Sequence, residues 1–173
     1  MAKIAKSALP NAFTFANLGC GIMSLMMTFQ ENYKWAAIFI LLACLADRYD
    51  GRVARYLNVS SELGKELDSL ADLVSFGVAP SILTFNIYGF FNLGLLGYLL
   101  VLLFPIAGAY RLARFNVTQF SGEFFGIPIT FAGMFMALYC LVTMNYLAPI
   151  GVTVIIMVAL SYLMVCKHRF KKF

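Results

Sequence analysis

The amino-acid sequence predicts an all-α integral membrane protein, a single membrane-embedded domain over residues 1–173 with six transmembrane helices. Two properties of the composition predict this class: 62% of the residues are hydrophobic, and only 12% are charged, about half the charged fraction usual in a soluble domain. The third observation is that the hydrophobic residues fall into separate stretches. A bilayer core about 30 Å thick needs roughly 20 apolar residues per helix, so the chain has room for about six spans.

Each predicted span is bounded by polar or turn-forming residues. The six stretches cover approximately Asn11–Phe29, Trp35–Ala46, Leu70–Tyr88, Leu93–Tyr110, Pro128–Tyr146 and Ile150–Cys166. The polar residues 30–32 close the first stretch, and the gaps at 89–94, 121–128 and 145–149 contain the glycine, proline and asparagine residues typical of turns. Helices are the expected spanning elements, because every backbone polar group in lipid must be paired within its own segment.

The basic residues are distributed unevenly among the predicted loops. If the N-terminus is cytoplasmic, 12 of the 13 Lys and Arg residues lie on the cytoplasmic side, and only Lys34 lies outside. Cytoplasmic loops of membrane proteins carry such an excess of basic residues. We therefore expect a multi-pass protein of the cell membrane with both termini in the cytoplasm, and the net charge of +5 requires no nucleic acid partner.

The acidic residues are concentrated in one short segment. Six of the eight Asp and Glu residues lie in residues 47–72, and so do all four aspartates: Asp47, Asp50, Asp68 and Asp72. The spacings of three and four positions put each pair on one face of a helix, with its members roughly 5–6 Å apart. A turn over residues 56–63 would bring the two pairs together. Oxygen-rich clusters suit Mg²⁺, Mn²⁺ or Ca²⁺, and two such ions about 4 Å apart can clamp a phosphoryl group.

Small residues and an arginine accompany the aspartates. Gly51, Ala54 and Gly64 each lie beside an aspartate or one helical turn from one, which allows a bulky ligand or a second helix to approach the backbone. Arg55 can pair with a phosphate through two hydrogen bonds. Taken singly, Gly51 and Gly64 are better explained by helix packing, and Arg55 by cytoplasmic anchoring. The complete set favours a metal-dependent phosphate site.

This segment resembles the signature of the CDP-alcohol phosphotransferases. Residues 47–72 read DRYDGRVARYLNVSSELGKELDSLAD and match the pattern D-x2-D-G-x2-A-R-x8-G-x3-D-x3-D at every fixed position. The resemblance implies a fold of six transmembrane helices, and this number agrees with the number of apolar stretches. It also implies that the protein is a homodimer, as is usual in the family. It also implies transfer of a lipid phosphoryl group from a CDP-activated lipid to the hydroxyl of a small alcohol, with release of CMP.

The resemblance further implies a role for each matched residue. Two divalent metal ions, Mg or Mn, would be bound by Asp47, Asp50, Asp68 and Asp72. Asp72 would also be the general base for the acceptor hydroxyl. The residues that would hold the CDP-lipid are Gly51, Arg55, Ser61 and Gly64, together with Asn11 and Thr14 at the start of the first predicted span.

Other strings resemble one branch of the family, the membrane-embedded phosphatidylserine synthases. They are LPNAFTFANLGCG, DSLADLVSFGVAPS, RLARFN and FFGIPIT, and they extend the resemblance over most of residues 9–133. This branch implies L-serine as the acceptor, a phosphatidyl or ether-lipid donor, and a role in phospholipid biosynthesis. Arg111 and Arg114, three positions apart on one helix face, are either ligands of the serine carboxylate or cytoplasmic anchors. Ser75, Phe76 and Asn116 are further candidates for the acceptor site.

Three alternatives compete with this interpretation. A sibling transferase would use glycerol 3-phosphate or an inositol phosphate, whose phosphate calls for more basic residues than Arg111 and Arg114. A divalent-cation transporter would use the acids as a midplane site, whereas these acids lie toward predicted cytoplasmic helix ends, beside Arg48 and Arg52. A purely structural membrane protein leaves the acids unexplained. The sequence favours direct transfer at a cytoplasm-facing site, without a covalent enzyme intermediate.

Overall fold

Seven α-helices contain most of the residues that the computed structural model describes, namely residues 2–56, 62–117, 124–146, 148–166 and 169–170. A π-helical segment, Leu73–Val78, joins the third helix to the fourth without a break, and a 3-10 turn, Phe90–Leu93, precedes the fifth. The helices are α1 Ala2–Phe29, α2 Tyr33–Tyr56, α3 Glu62–Asp72, α4 Ala79–Ile87, α5 Leu95–Val117, α6 Ile129–Thr143 and α7 Ile150–Val165.

Three helical segments in the described part of the chain are long and apolar enough to cross a membrane. They are Asn11–Phe29 in α1, the continuous Glu62–Ile87, and Leu95–Val117 in α5. The apolar helices α6 and α7 are shorter, with 15 and 16 residues, and α2 combines an apolar first half with a charged second half. The predicted helical membrane architecture is therefore confirmed, while the count of six spans and the cytoplasmic position of both termini stay predictions.

The described helices agree with the six predicted apolar stretches, but three of the helices extend well beyond them. Helix α1 begins at Ala2 rather than near Asn11, α2 continues past Ala46 to Tyr56, and α3 begins at Glu62 rather than near Leu70. The additional residues of α3 are mainly polar, and they form an amphipathic extension, because a helix can continue through polar residues while one of its faces is packed. Residues 57–61, the centre of the turn predicted at 56–63, lie outside the described residues.

A tight turn folds α2 back along α1. Glu31 adopts a left-handed conformation, with φ of 59°, and the backbone N–H of Asn32 donates to the carbonyl of Met27 over 2.9 Å. The face of α2 that follows is fully buried and consists of Ala36, Ala37, Ile40 and Ala43. These mostly small side chains allow α2 to lie close to α1, α4 and α6.

The π-helical segment lies at the centre of the bundle. Helices α1, α5 and α6 all contact it, and Ser75 and Phe76 are completely buried within it. Two glycines make this packing close: a Cβ atom at Gly21 would collide with Ser75, and one at Gly133 would lie only 2.5 Å from the carbonyl oxygen of Phe76. The segment that directly follows Asp72 is therefore held on several sides by other helices.

The described residues also contain one short pair of β-strands. Strand β1, Phe124–Phe125, pairs antiparallel with β2, Arg169–Phe170. The backbone N–H of Ile127 donates to the carbonyl of Leu163 over 3.1 Å. These contacts connect the segment before α6, predicted as a loop, to the last turn of α7 and to the basic tail after it.

Candidate active site

Three aspartates from two helices converge in the folded chain. One carboxylate oxygen each from Asp47 in α2 and from Asp68 and Asp72 in α3 all lie within 4.8 Å of one another. Asp47 and Asp68 are half-buried, and Asp72 is buried, with 8% of its surface exposed. Like charges at such distances repel unless a cation neutralises them. The side chain of the fourth predicted ligand, Asp50, lies outside the described residues.

Helical geometry explains how these side chains meet. Asp68 and Asp72 are four positions apart in α3, so both project from the same face. Asp47 follows the apolar first half of α2, and the helix continues through the charged segment as far as Tyr56. Helix α1 packs along α2 and also contacts α3, and it fixes the two helices relative to each other.

The donor set of this cluster fits a hard divalent cation. Three carboxylates supply only oxygen ligands, which are the ligands that Mg²⁺ and Mn²⁺ prefer. The half-buried position of Asp47 and Asp68 leaves the cluster open to further ligands such as a diphosphate. The residues present are therefore compatible with the metal-dependent chemistry that the sequence predicts.

Asn17 contacts Asp72 and is absent from the residues predicted from the sequence. Its side chain is fully buried in α1, and its Nδ2 donates a hydrogen bond to Asp72 Oδ1 over 3.0 Å. The backbone carbonyl of Asn17 accepts a second hydrogen bond, from Ser75 Oγ, over 2.9 Å. The available sequence signal was an amide within the apolar string FTFANLGCG, because polar groups inside membrane segments are costly and usually functional.

Two buried polar atoms near Asp72 lack hydrogen-bond partners among the described residues. They are Asn17 Oδ1 and Arg111 Nε. The side chain of Arg111 lies close enough to Asp72 for their charges to interact. An unpaired buried polar group costs about 1–3 kcal/mol, so such atoms mark positions where a ligand or water can bind. Arg111 thus offers an unpaired N–H donor beside the aspartate cluster.

Arg114 and Asn116 make contacts within the protein. Arg114 Nη1 donates to the carbonyl of Val165 over 3.2 Å, and its guanidinium lies 5.9 Å from the centre of the Tyr110 ring. Asn116 Nδ2 donates to Glu66 Oε1 over 3.2 Å and to Ser69 Oγ over 3.0 Å. Arg114 therefore joins α5 to α7, and Asn116 joins α5 to α3.

Ser75 and Phe76, which are predicted as acceptor ligands, lie within the packing between helices. Both side chains are completely buried. The Ser75 hydroxyl donates to the carbonyl of Asn17, and Phe76 packs against Gly133 in the core. The π-helical turn explains this outcome, since it directs the residues after Asp72 toward α1 and α6.

The structure describes some of the residues that are predicted to hold the CDP-lipid. Asn11 is half-buried and Thr14 buried, and they lie six and three positions before Asn17 on α1. Gly51 is exposed on α2, and Gly64 is half-buried on α3. The side chain of Arg55 and all of Ser61 lie outside the described residues.

Comparison with known proteins adds an independent finding. Residues 7–166 match the family model described as CDP-alcohol phosphatidyltransferase. The chain is 39% identical, over 95% of its length and 90% of the relative, to the CDP-diacylglycerol–serine O-phosphatidyltransferase of Bacillus subtilis. It is 40% identical to the Helicobacter pylori protein of the same name, over 79% of this chain and 59% of the relative.

An archaeal relative shows a similar coverage of the chain. The archaetidylserine synthase of Methanothermobacter thermautotrophicus is 35% identical over 95% of this chain and 70% of the relative. The family match covers all but the ends of the described chain, and it includes the residues of the aspartate cluster. This chain therefore belongs to the CDP-alcohol phosphatidyltransferase family.

Proposed function

We propose that this enzyme transfers the phosphatidyl group, or its ether-lipid equivalent, from a CDP-activated lipid to the hydroxyl of L-serine in phospholipid biosynthesis. The observation that carries the proposal is the convergence of three aspartate oxygens within 4.8 Å in a member of this family. Serine as the acceptor is supported by the names of the bacterial relatives and of the archaetidylserine synthase.

The metal ligands are proposed from the cluster and the family signature. Asp47, Asp50, Asp68 and Asp72 would hold two divalent ions, Mg²⁺ or Mn²⁺. When bound, such ions supply positive charge to the diphosphate and to the transferring phosphoryl group. The residues proposed to hold the CDP part of the donor are Asn11, Thr14, Gly51, Arg55, Ser61 and Gly64.

Asp72 is proposed as the general base. Its carboxylate is buried, is held by Asn17, and belongs to the aspartate cluster. It would accept the proton of the serine hydroxyl while the serine oxygen bonds to the lipid-side phosphorus. The bond from that phosphorus to the bridging oxygen breaks, and CMP leaves. Positioning and electrostatic stabilisation supply most of the rate in such transfers.

Arg111 is proposed to bind the serine carboxylate. Its buried Nε lacks a partner among the described residues, and its charge lies near that of Asp72. An arginine in this position can pair with a carboxylate and hold the serine hydroxyl toward Asp72. Its neighbour Arg114 is engaged with Val165 and Tyr110. This arrangement suits an acceptor with one anionic group better than a phosphate-bearing acceptor.

The proposed architecture retains six transmembrane helices, cytoplasmic termini and a cytoplasm-facing site. Three segments of the described chain are long enough to cross a membrane. Three further spans are supported by the shorter apolar helices α6 and α7 and by the apolar half of α2. The distribution of basic residues supports the orientation. A homodimer is proposed from the family resemblance.

One assay tests the proposed function against its alternatives. The purified protein is supplied with Mn²⁺ or Mg²⁺, a CDP-activated lipid, and in turn serine, glycerol 3-phosphate or an inositol phosphate, and CMP release is measured. We expect metal-dependent CMP release with serine. Release only with a phosphate-bearing acceptor would support the sibling transferase, and release with none of the acceptors would refute the proposal.

A further inference from the structure

A buried amide faces the aspartate cluster from a helix that carries none of its carboxylates. Asn17 lies in the apolar part of α1 and has no exposed surface. Burying an amide without hydrogen bonds is unfavourable by several kcal/mol in an apolar environment, on the order of 2–7 kcal/mol. The described hydrogen bond of this side chain goes to Asp72, and this contact explains why an amide is tolerated in the apolar part of α1.

The backbone around Asn17 is also tied to the residues that follow Asp72. Ser75 Oγ donates to the Asn17 carbonyl over 2.9 Å, and Gly21, one helical turn later in α1, leaves room for Ser75 at the interface. Helix α1 is thus joined to α3 by the hydrogen bond between Asn17 and Asp72. It is joined to the π-helical segment by the hydrogen bond from the Ser75 hydroxyl to the Asn17 carbonyl. A lateral shift of α1 would break both contacts.

The chemistry of the contact constrains the carboxylate. The amide Nδ2 can only donate, so it requires an acceptor oxygen on Asp72 and holds that oxygen, Oδ1, at 3.0 Å. The second carboxylate oxygen is left for a metal ion or for the proton of an acceptor. Hydrogen-bond partners behind a metal ligand generally set its orientation, and their loss costs about 10–100-fold in metal affinity or activity.

We propose that Asn17 is a positioning residue: through its hydrogen bond to Oδ1, it orients the Asp72 carboxylate toward the aspartate cluster and the acceptor hydroxyl. This inference rests on the proposed function for the role of Asp72. It extends that function because it gives a residue of α1 the role of orienting the general base.

The test compares three variants of Asn17 with a control on the same helix. Asn17→Leu replaces the amide by an apolar group of similar shape, Asn17→Ala removes it, and Asn17→Gln retains an amide on a longer side chain. Thr28→Val is the control, because Thr28 is also buried in α1 but its hydroxyl bonds within the helix, to the carbonyl of Ser24. Folding is checked by gel filtration and thermal denaturation in detergent.

Two measurements separate positioning from packing. Calorimetric titration with Mn²⁺, without lipid or serine, gives the metal affinity, and CMP release gives kcat and KM. For Asn17→Leu and Asn17→Ala we expect kcat and Mn²⁺ affinity to fall by about 10–100-fold, with a smaller change in the KM for the CDP-lipid. Asn17→Gln should recover part of the loss, and Thr28→Val should resemble the unmodified protein.

Several outcomes would overturn the assignment. A folded Asn17→Leu or Asn17→Ala protein with the Mn²⁺ affinity and kcat of Thr28→Val would show that the contact has no role in orienting Asp72. Loss of the folded protein in every Asn17 variant would make Asn17 a packing residue of the helix interface. If the unmodified protein releases no CMP, the proposed function fails, while the Mn²⁺ titration still reports on the orientation of the cluster.

Discussion

At the scale of single residues, the site depends on the environment of Asp72. This carboxylate is buried, accepts a hydrogen bond from Asn17, and has one oxygen within 4.8 Å of oxygens of Asp47 and Asp68. Burial removes the water that would otherwise screen the repulsion among the three acids. The cluster is therefore unfavourable without a cation, and the same low screening strengthens its attraction for one.

Asp72→Asn tests the role of the base directly. The variant keeps the shape of the side chain, removes one negative charge and cannot accept the serine proton. We expect turnover to fall by about 10²–10⁴-fold, the usual contribution of a general base. Because repulsion within the cluster decreases, the metal-free protein should be at least as resistant to heat as the unmodified one. Near-normal CMP release from Asp72→Asn would contradict the assignment.

Arg111→Gln tests the proposed carboxylate ligand. Loss of a charged hydrogen bond to the acceptor should raise the KM for serine by about 10–100-fold. The KM for the CDP-lipid should change less. Arg114→Gln is the matched comparison, since it removes the contact with Val165 and should lower thermal stability instead. A larger effect of Arg114→Gln on the KM for serine would reverse the two roles.

At the scale of elements, the π-helical segment Leu73–Val78 links the site to the core. A π-helix has a wider turn than an α-helix, and it changes the direction of the side chains that follow. Here Asp72 faces the cluster, while Ser75 and Phe76 face α1 and α6. Close approach of both neighbouring helices is possible because Gly21 and Gly133 carry no side chain. Packing of α1 and α6 is thus coupled to the position of Asp72.

Gly133→Ala should disturb this packing. The added Cβ would lie 2.5 Å from the Phe76 carbonyl oxygen, so α6 or the π-helical segment has to move. Overpacking of this kind typically costs about 1–3 kcal/mol, and we expect lower thermal stability together with reduced CMP release. Gly151→Ala is the matched control, because its Cβ has no neighbour within 4 Å and alanine favours a helix. Equal stability of the two variants would contradict the proposed packing.

At the scale of the whole molecule, the proposed orientation rests on the distribution of charge. The excess of basic residues in cytoplasmic segments predicts that Lys34 lies outside and that the basic residues of the tail, 167–172, lie in the cytoplasm. In this proposed orientation the aspartate cluster would face the cytoplasm.

Cysteine labelling in intact cells tests this orientation. In a background without Cys20, Cys44, Cys140 and Cys166, a cysteine is introduced at Gln30 or at Lys171. A membrane-impermeant maleimide should label Gln30→Cys from outside, since Gln30 lies in the exposed turn between α1 and α2. Lys171→Cys should be labelled only after permeabilisation. The opposite pattern would invert the topology.

Much of the fold and part of the site follow from local sequence pattern. Apolar stretches of membrane-spanning length predict the helices, because burial in lipid requires continuous backbone pairing within each segment. The spacing of Asp68 and Asp72 predicts a shared face, since it equals one helical turn. The family signature identifies the aspartates as one set, and the structure brings the three described members together.

Other features depend on contacts between residues far apart in the chain. Asn17 and Asp72 are separated by 55 positions, and Ser75 and Asn17 by 58, so no local periodicity relates them. The different environments of Arg111 and Arg114 arise from the packing of α5 against α7 and from the position of Asp72. Helix spacing determines which side chains share a face, but the packing of α1, α3 and the π-helical segment determines which of them reach the carboxylates.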